Sequence, residues 1–157
     1  MRPPFKHLAH PGFTFVELIA SLVVMGILAV SVTLTNMDGQ ADVDGQAETL
    51  KARIRYAQAK AMGRNIPYGV VVVAGGYHLF AGSSVANKER FPGEENLDVP
   101  LPSGITTTPG TISFDDRGRP FSNAAQTAAL AANLVITLTD SSATRTITVT
   151  PGTGYVP

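Results

Sequence analysis

An apolar run extends from Phe13 to Leu34 and gives way to a polar stretch. At a helical rise of about 1.5 Å per residue, its length matches the roughly 30 Å of a bilayer core. Glu17 lies near its start, where an ionised carboxylate is costly in a membrane and requires a partner. The run therefore predicts a membrane-spanning helix over residues 13–35, with a specific role for Glu17.

Residues 36–45 are polar and contain Gly39 and Gly45, so we expect a solvated helix face that bends or frays. A helical periodicity follows in residues 46–64, where apolar positions recur at the spacing of one buried face. These positions are Leu50, Ile54, Ala57 and Ala61. Three basic side chains lie off this stripe, at Lys51, Arg55 and Lys60. Such residues commonly solubilise an outer helix face, and a nucleic-acid surface is the alternative.

Runs rich in β-branched and aromatic residues predict antiparallel strands downstream. They cover residues 68–73, 77–81, 99–101, 105–108, 111–114, 134–139 and 145–150. The first two are joined across residues 74–76, where glycines allow the positive φ of a tight hairpin. Together with the preceding helix, they predict an α+β domain over residues 36–157, in which a helix at about 46–64 packs on antiparallel sheets. We expect this helix to be the second half of one long N-terminal helix of about 50 residues, from Phe13 to Gly63, whose first half spans the membrane.

The segment 82–96 is long, polar and irregular, which indicates an exposed loop. Two interpretations remain open for it. It either carries partner contacts, as surface loops often do, or is a tolerated insertion.

Composition narrows the function classes. The chain has no cysteine, which excludes disulfides and thiol chemistry. Basic and acidic side chains number 12 each, and loss of Arg2 and Lys6 with a leader would leave a net charge of −2. This charge gives no general attraction to nucleic acid.

The residues at the start of the apolar run form a specific pattern: Gly12, Phe13, Thr14, Glu17 and Leu18. This pattern resembles the type IV prepilin family, which includes type IV pilins and the pseudopilins of type II secretion. The resemblance implies that residues 1–12 are a leader, cleaved between Gly12 and Phe13 by a prepilin peptidase. It also implies N-methylation of Phe13 and pairing of Glu17 with the Phe13 amine of an adjacent subunit. The alternative is a plain signal anchor with a chance glutamate.

A second pattern lies at Phe114, Asp115, Asp116, Arg117 and Gly118. It resembles the F-x-x-x-G motif of the pseudopilin H and FimT branch of that family, and a closing hairpin follows it, as in the branch. Carboxylates beside arginines could also indicate acid–base chemistry or an anion site. We interpret the segment as a structural turn whose aspartates cap backbone N–H groups.

The helix of residues 46–64 departs from the branch. Relatives typically carry an A-R-x-E-A segment there, whereas this chain has Gln58 in place of the arginine and Lys60 in place of the glutamate. The ion pair that those residues make in relatives is therefore in doubt here.

Signatures of catalysis are missing from the sequence, which contains no G-x-S-x-G, P-loop or H-E-x-x-H motif. Outside the leader the one histidine is His78, which we interpret as an ordinary strand residue. We therefore expect no enzyme activity, no cofactor and no metal site.

These features predict a minor pseudopilin, a structural subunit of the type II secretion pseudopilus involved in protein export. A minor pilin of a type IV pilus is the alternative; a DNA-uptake pilin is disfavoured because residues 152–157 lack Arg and Lys. We expect a single-pass protein of the bacterial inner membrane with a periplasmic C-terminal domain. The expected partners are a prepilin peptidase/N-methyltransferase, other minor and major pseudopilins and membrane lipid, but not nucleic acid.

Overall fold

The structure is a computed structural model that describes residues 14–157, with the backbone alone described for residues 27–41. The predicted leader, 1–12, and Phe13 lie outside these residues. No helix in the described part of the chain is long and apolar enough to cross a membrane. The predicted span, 13–35, falls partly on residues outside that part.

Helix α1 comprises Phe15–Arg64 and is assigned without interruption at Gly39 and Gly45. Its end is marked by Asn65, whose φ of 55° is left-handed. Asparagine tolerates this conformation, which commonly terminates helices. The helix therefore does not fray at either glycine, and that expectation is wrong.

One face of α1 is buried from Val43 to Ala61. The buried residues are Val43, Ala47, Leu50, Ile54, Ala57 and Ala61. The last four are the stripe predicted from the sequence, which is confirmed. Val43 and Ala47 continue it about two turns upstream. The expectation of a solvated face is therefore wrong at Val43.

Nine strands follow α1 in the described chain: β1 Tyr68–Val73, β2 Gly76–Ala81, β3 Lys88–Glu89, β4 Asp98–Pro100, β5 Thr106–Thr107, β6 Gly110–Phe114, β7 Pro120–Phe121, β8 Leu134–Thr139 and β9 Thr144–Val149. The first sheet has the order β3-β2-β1-β6-β7, with β4 also paired to β2, and the second has the order β5-β8-β9. Every pairing is antiparallel. The α+β class with antiparallel sheets is confirmed.

The β1–β2 hairpin forms as predicted, but its glycines have a different purpose. Val73 pairs with Gly76, so Ala74 and Gly75 make the turn. Neither Gly75 nor Gly76 has a positive φ. A Cβ on Gly76 would instead lie 2.5 Å from the Val99 carbonyl oxygen. Gly76 is thus needed for the close approach of β4.

Both sheets pack with α1 in one core. The first sheet contributes Tyr68, Val70 and Val72 of β1, together with Ile112 and Phe114 of β6. The second contributes Ile136, Leu138, Ile147 and Val149. The polar residues beside the buried stripe therefore lie at the margin of this core, where they reach the loops and the tail, residues 152–157. These residues form the polar margin of α1: Arg53, Arg55, Gln58 and Lys60.

Candidate functional site: the polar margin of α1, the turn and the tail

The turn between β6 and β7 is organised around the Asp115 carboxylate, which is 6% exposed. It accepts hydrogen bonds from the backbone N–H groups of Arg117 at 3.0 Å and Arg119 at 2.8 Å. The Arg119 guanidinium donates a third at 2.7 Å. Burial acts to raise the pKa of Asp115, but these donors outweigh it and hold the pKa below its usual value. With its oxygens occupied in this way, Asp115 serves to shape the turn.

The two carboxylates of this turn lie in different environments. Asp116 is exposed, as is Arg117, whereas Phe114 and Asp115 are buried. Gly118 is buried and has a φ of 76°, in the left-handed region that favours glycine. The arginine that pairs with Asp115 is Arg119, one residue beyond the five-residue pattern identified in the sequence.

The Asp115→Asn variant is expected to lower the free energy of unfolding by about 1–3 kcal/mol at neutral pH, because charge-assisted hydrogen bonds are lost. The folded-state pKa lies below the unfolded value of 3.8, so the carboxylate stabilises above that value and its contribution disappears as pH falls through the folded pKa. Urea unfolding of the full chain in detergent, at neutral pH and below pH 3.8, should show the deficit shrinking on acidification. Asp116→Asn is the matched control and should change stability little; equal losses in both variants would contradict this role.

Gln58 connects α1 to both the turn and the tail. Its side-chain amide donates to the Gly118 carbonyl at 2.9 Å and to the Thr153 carbonyl at 2.8 Å. Gly154 adopts a φ of 66°, and a Cβ there would lie 2.8 Å from the Gln58 amide nitrogen and 2.7 Å from the Phe114 ring. One side chain of α1 thus holds two segments that are distant in the sequence.

The tail is also held by Arg55, through a carbonyl that single-sequence reasoning could not identify. The Arg55 guanidinium donates twice to the Val156 carbonyl oxygen, at 3.1 and 2.9 Å. The Val156 side chain is buried in the core. Arg55 is exposed, in agreement with its interpretation as a residue of the outer helix face, but it also binds the tail, which folds back onto α1.

The segment 82–96 is not the wholly exposed loop expected from its composition. Phe91 is 2% exposed and belongs to the core, where its ring packs edge-on against Tyr77 with a centroid separation of 5.8 Å. Arg53 lies over the Phe91 ring at 4.9 Å, donates to the Pro92 carbonyl at 2.9 Å and forms an ion pair with Glu94. Phe91 thus anchors this polar segment in the core, and Arg53 binds the segment to α1.

Lys60 binds the same segment a few residues earlier. Its side chain is only 14% exposed, so its interpretation as a solubilising residue is wrong. It forms an ion pair with Glu89, which additionally accepts a hydrogen bond from the Tyr68 hydroxyl at 3.1 Å. Burial opposes ionisation of both partners, but their mutual attraction prevails, so the pKa of Lys60 is raised and that of Glu89 lowered. Lys60 therefore has an acidic partner on β3, although it replaces the glutamate of the A-R-x-E-A pattern.

His78 lies on β2 and is 8% exposed. Its Nδ1 is 3.3 Å from an Asp98 carboxylate oxygen, and that carboxylate accepts hydrogen bonds from Lys88 at 2.6 and 2.8 Å. Burial, followed by the nearby Lys88 charge, lowers the pKa of His78. In the described residues no cluster of three or more His, Cys, Asp or Glu side chains could hold a metal ion.

Glu17 lies in the exposed first turn of α1. Thr14 precedes the helix, and its hydroxyl accepts a hydrogen bond from the Glu17 N–H at 3.3 Å. Thr14 and Glu17 thus have the spacing of a capping box, in which a glutamate three residues after the cap also satisfies the helix start. This signal was present in the sequence and was missed. Gly12 and Phe13, the predicted cleavage and methylation residues, lie outside the described residues.

The fold can be compared with solved structures. The type IV minor pilin FimU of Pseudomonas aeruginosa, strain PAO1, in space group P21, matches with a TM-score of 0.53 and 12% identity, covering 74% of this chain and 87% of that chain. A second crystal form of FimU, in space group P65, matches with a TM-score of 0.49 and 12% identity, covering 73% and 90%. None of the curated proteins compared with the chain matches it. The fold is that of a type IV pilin-like protein.

Sequence comparison identifies the family within this class. Residues 46–153 match the family model described as type II transport protein GspH. Because the match covers more than half of the chain, the chain belongs to the GspH family. The matched region contains Gln58, the turn around Asp115 and the β8–β9 hairpin. The expected membership of a prepilin-like, GspH- and FimT-like family is confirmed.

Proposed function

We propose that this protein is a minor pseudopilin that is incorporated into the pseudopilus of a type II secretion system and supports protein export. The observation that carries the proposal is the match of residues 46–153 to the type II transport protein GspH family. Occupation of the Asp115 carboxylate by donors of its own turn agrees with a structural subunit. A structural role also fits an α1 whose polar margin is occupied by internal contacts.

A leader of residues 1–12 and a membrane helix over residues 13–35 are part of this proposal. The basic residues Arg2 and Lys6 favour a cytoplasmic leader, which leaves the C-terminal domain on the periplasmic side of the inner membrane. Cleavage after Gly12 would create an amine on Phe13, and a prepilin peptidase/N-methyltransferase would methylate it. During assembly with other pseudopilins, that amine would neutralise the Glu17 of a neighbouring subunit as lipid contacts are exchanged for helix packing.

A minor pilin of a type IV pilus is the second candidate. The fold likeness to the minor pilin FimU favours it. A DNA-uptake role is not favoured, because residues 152–157 carry no Arg or Lys and the tail is bound to Gln58 and Arg55 of its own helix. Neutralising phosphates would require free basic side chains.

Deletion of this gene in its parent organism separates the two candidates. We expect loss of release of type II substrates into the medium, with pilus-dependent surface motility retained. Restoration of export by the wild-type gene on a plasmid is the control. Loss of motility with normal export would overturn the secretion assignment in favour of a type IV pilus.

A further inference from the structure

Strand β9 has an open edge. It is the outer strand of the β5-β8-β9 sheet, and its one strand partner in the described chain is β8. The hairpin closes on Asp140 and Ala143, whose backbone groups bond at 3.0 Å. Because bonded and non-bonded positions alternate in an antiparallel pair, Arg145, Ile147 and Val149 bond to β8. The N–H and C=O groups of Thr144, Thr146 and Thr148 therefore point away from the sheet.

The edge of β9 lacks the usual protection against pairing with another chain. Sheets commonly protect their edges with very short strands, proline, bulges or charge. The other outer strands here follow this rule, since β3, β5 and β7 have two residues each and β4 ends in Pro100. By contrast, β9 has six residues without Gly or Pro. Its one charged residue, Arg145, is paired with Asp44 of α1.

A groove of about 300 Å³ runs beside this edge, between α1 and β9. Its lining consists of Asp44, Ala47, Glu48, Lys51, Arg145 and Thr146. The four charged residues pair with one another, Arg145 with Asp44 and Lys51 with Glu48. The groove consequently has hydrogen-bonding groups but no net charge, which suits small, polar, uncharged side chains.

We infer that β9 binds an extended segment of another polypeptide, which adds to the β5-β8-β9 sheet as a fourth strand. The Thr144 carbonyl already accepts a hydrogen bond from the Arg145 guanidinium at 3.3 Å. Main-chain hydrogen bonds to the Thr144 N–H and to Thr146 and Thr148 therefore supply affinity, and alternate side chains of the added strand enter the groove. A strand of different sequence is the occupant, because pairing with β9 of a second copy would bring two Arg145 side chains close on the same face. The inference does not rest on the choice between a secretion pseudopilus and a type IV pilus.

Amide hydrogen exchange of the full chain in detergent micelles tests this inference. The probe is a blocked peptide with the sequence of residues 143–150, used at about ten times its dissociation constant. Unlike β9 in the chain, the free peptide can pair through the edge of its residues 145, 147 and 149, which places its threonine side chains, and not its arginine, on the face of the groove. At that concentration we expect the amides of Thr144, Thr146 and Thr148 to exchange about tenfold more slowly. The amides of Arg145, Ile147 and Val149 are already bonded to β8 and should change less. Unchanged exchange at the three threonines at saturating probe would overturn the inference.

Two N-methylated versions of the probe distinguish backbone pairing from adhesion of side chains. One is methylated at the threonine amides and the other at the intervening amides, so that only one of them blocks the hydrogen bonds facing β9. We expect one version to lose binding and the other to retain it. Equal binding or equal failure of both versions would overturn backbone pairing.

Substitutions in the chain provide a matched pair. Thr146→Pro removes an edge N–H that has no partner among the described residues, and it should abolish probe binding. Val135 is 50% exposed on the same face as Thr148, its register partner, but belongs to the doubly paired β8. Val135→Lys should bind the probe as the wild type does. If the chain without probe already dimerises with these amides protected, the occupant is a second copy and the inference of a different chain is wrong.

Discussion

The Glu17→Ala variant is expected to be cleaved normally but to fail to assemble into filaments. In the proposed mechanism the carboxylate neutralises the Phe13 amine of a neighbouring subunit, and its removal leaves that amine unpaired in an apolar environment. The gel mobility of the processed chain would report cleavage. Recovery of the chain in a sheared filament fraction would report assembly.

The capping contact of Thr14 requires two controls, because Glu17 also stabilises the helix start through its position. Thr14→Ala removes the cap at a cost of about 1 kcal/mol but retains the charge, and it should assemble. Glu17→Gln retains the size and hydrogen-bonding capacity of the side chain but lacks the charge, and it should fail as alanine does. Normal assembly of the glutamine variant would contradict charge pairing.

The Phe114→Ala variant is expected to lose about 3–5 kcal/mol of stability, since Phe114 is fully buried and a cavity would remain. This is a large fraction of the roughly 5–15 kcal/mol that stabilises a typical domain. The ring also lies close to Gly154, where an added Cβ would be 2.7 Å from it, so the tail should loosen. Urea unfolding of the full chain in detergent would measure the loss. Exchange of the Gly154 amide, which bonds to the Thr150 carbonyl at 3.0 Å, would report the tail.

Tyr155→Ala is the matched control for this prediction. Tyr155 is an aromatic residue adjacent to Gly154, but its side chain is 62% exposed. Its removal should change stability by no more than about 0.5 kcal/mol. A loss in Phe114→Ala as small as in the control would show that the turn motif does not anchor the core.

Local patterns predicted the parts of the fold that local physics determines. The stripe through Leu50 and Ile54 follows from helical periodicity, and the β1–β2 hairpin from two β-branched runs around a short turn. The purpose of Gly76 was misassigned, because its close contact is with Val99, which lies on a different strand. A single sequence shows that a glycine stands at that position, but it does not show the neighbouring strand that makes the glycine necessary.

The candidate site was predicted less completely, because its contacts join distant residues. Arg53 and Glu94 are 41 positions apart, and Gln58 and Thr153 are 95 apart. Hydropathy contains no information on such pairings. The polar composition of residues 82–96 concealed the anchoring role of Phe91, although an isolated aromatic residue between charged groups was a usable signal. The sequence shows that Gln58 and Lys60 replace the Arg and Glu of the family pattern, but their partners are visible only in the structure.

The bonds from Arg55 to Val156, 101 positions apart, set an order of events during synthesis. Contacts of such high sequence separation close late, since the loop entropy must be lost before they form. α1 leaves the ribosome first, and its polar margin remains without these partners until Thr153 and Val156 emerge. A chain that ends before Thr153 can still form the bond from Gln58 to Gly118, but it lacks the bonds from Gln58 to Thr153 and from Arg55 to Val156. The contacts that hold residues 153–156 to α1 are therefore among the last of the described domain to form.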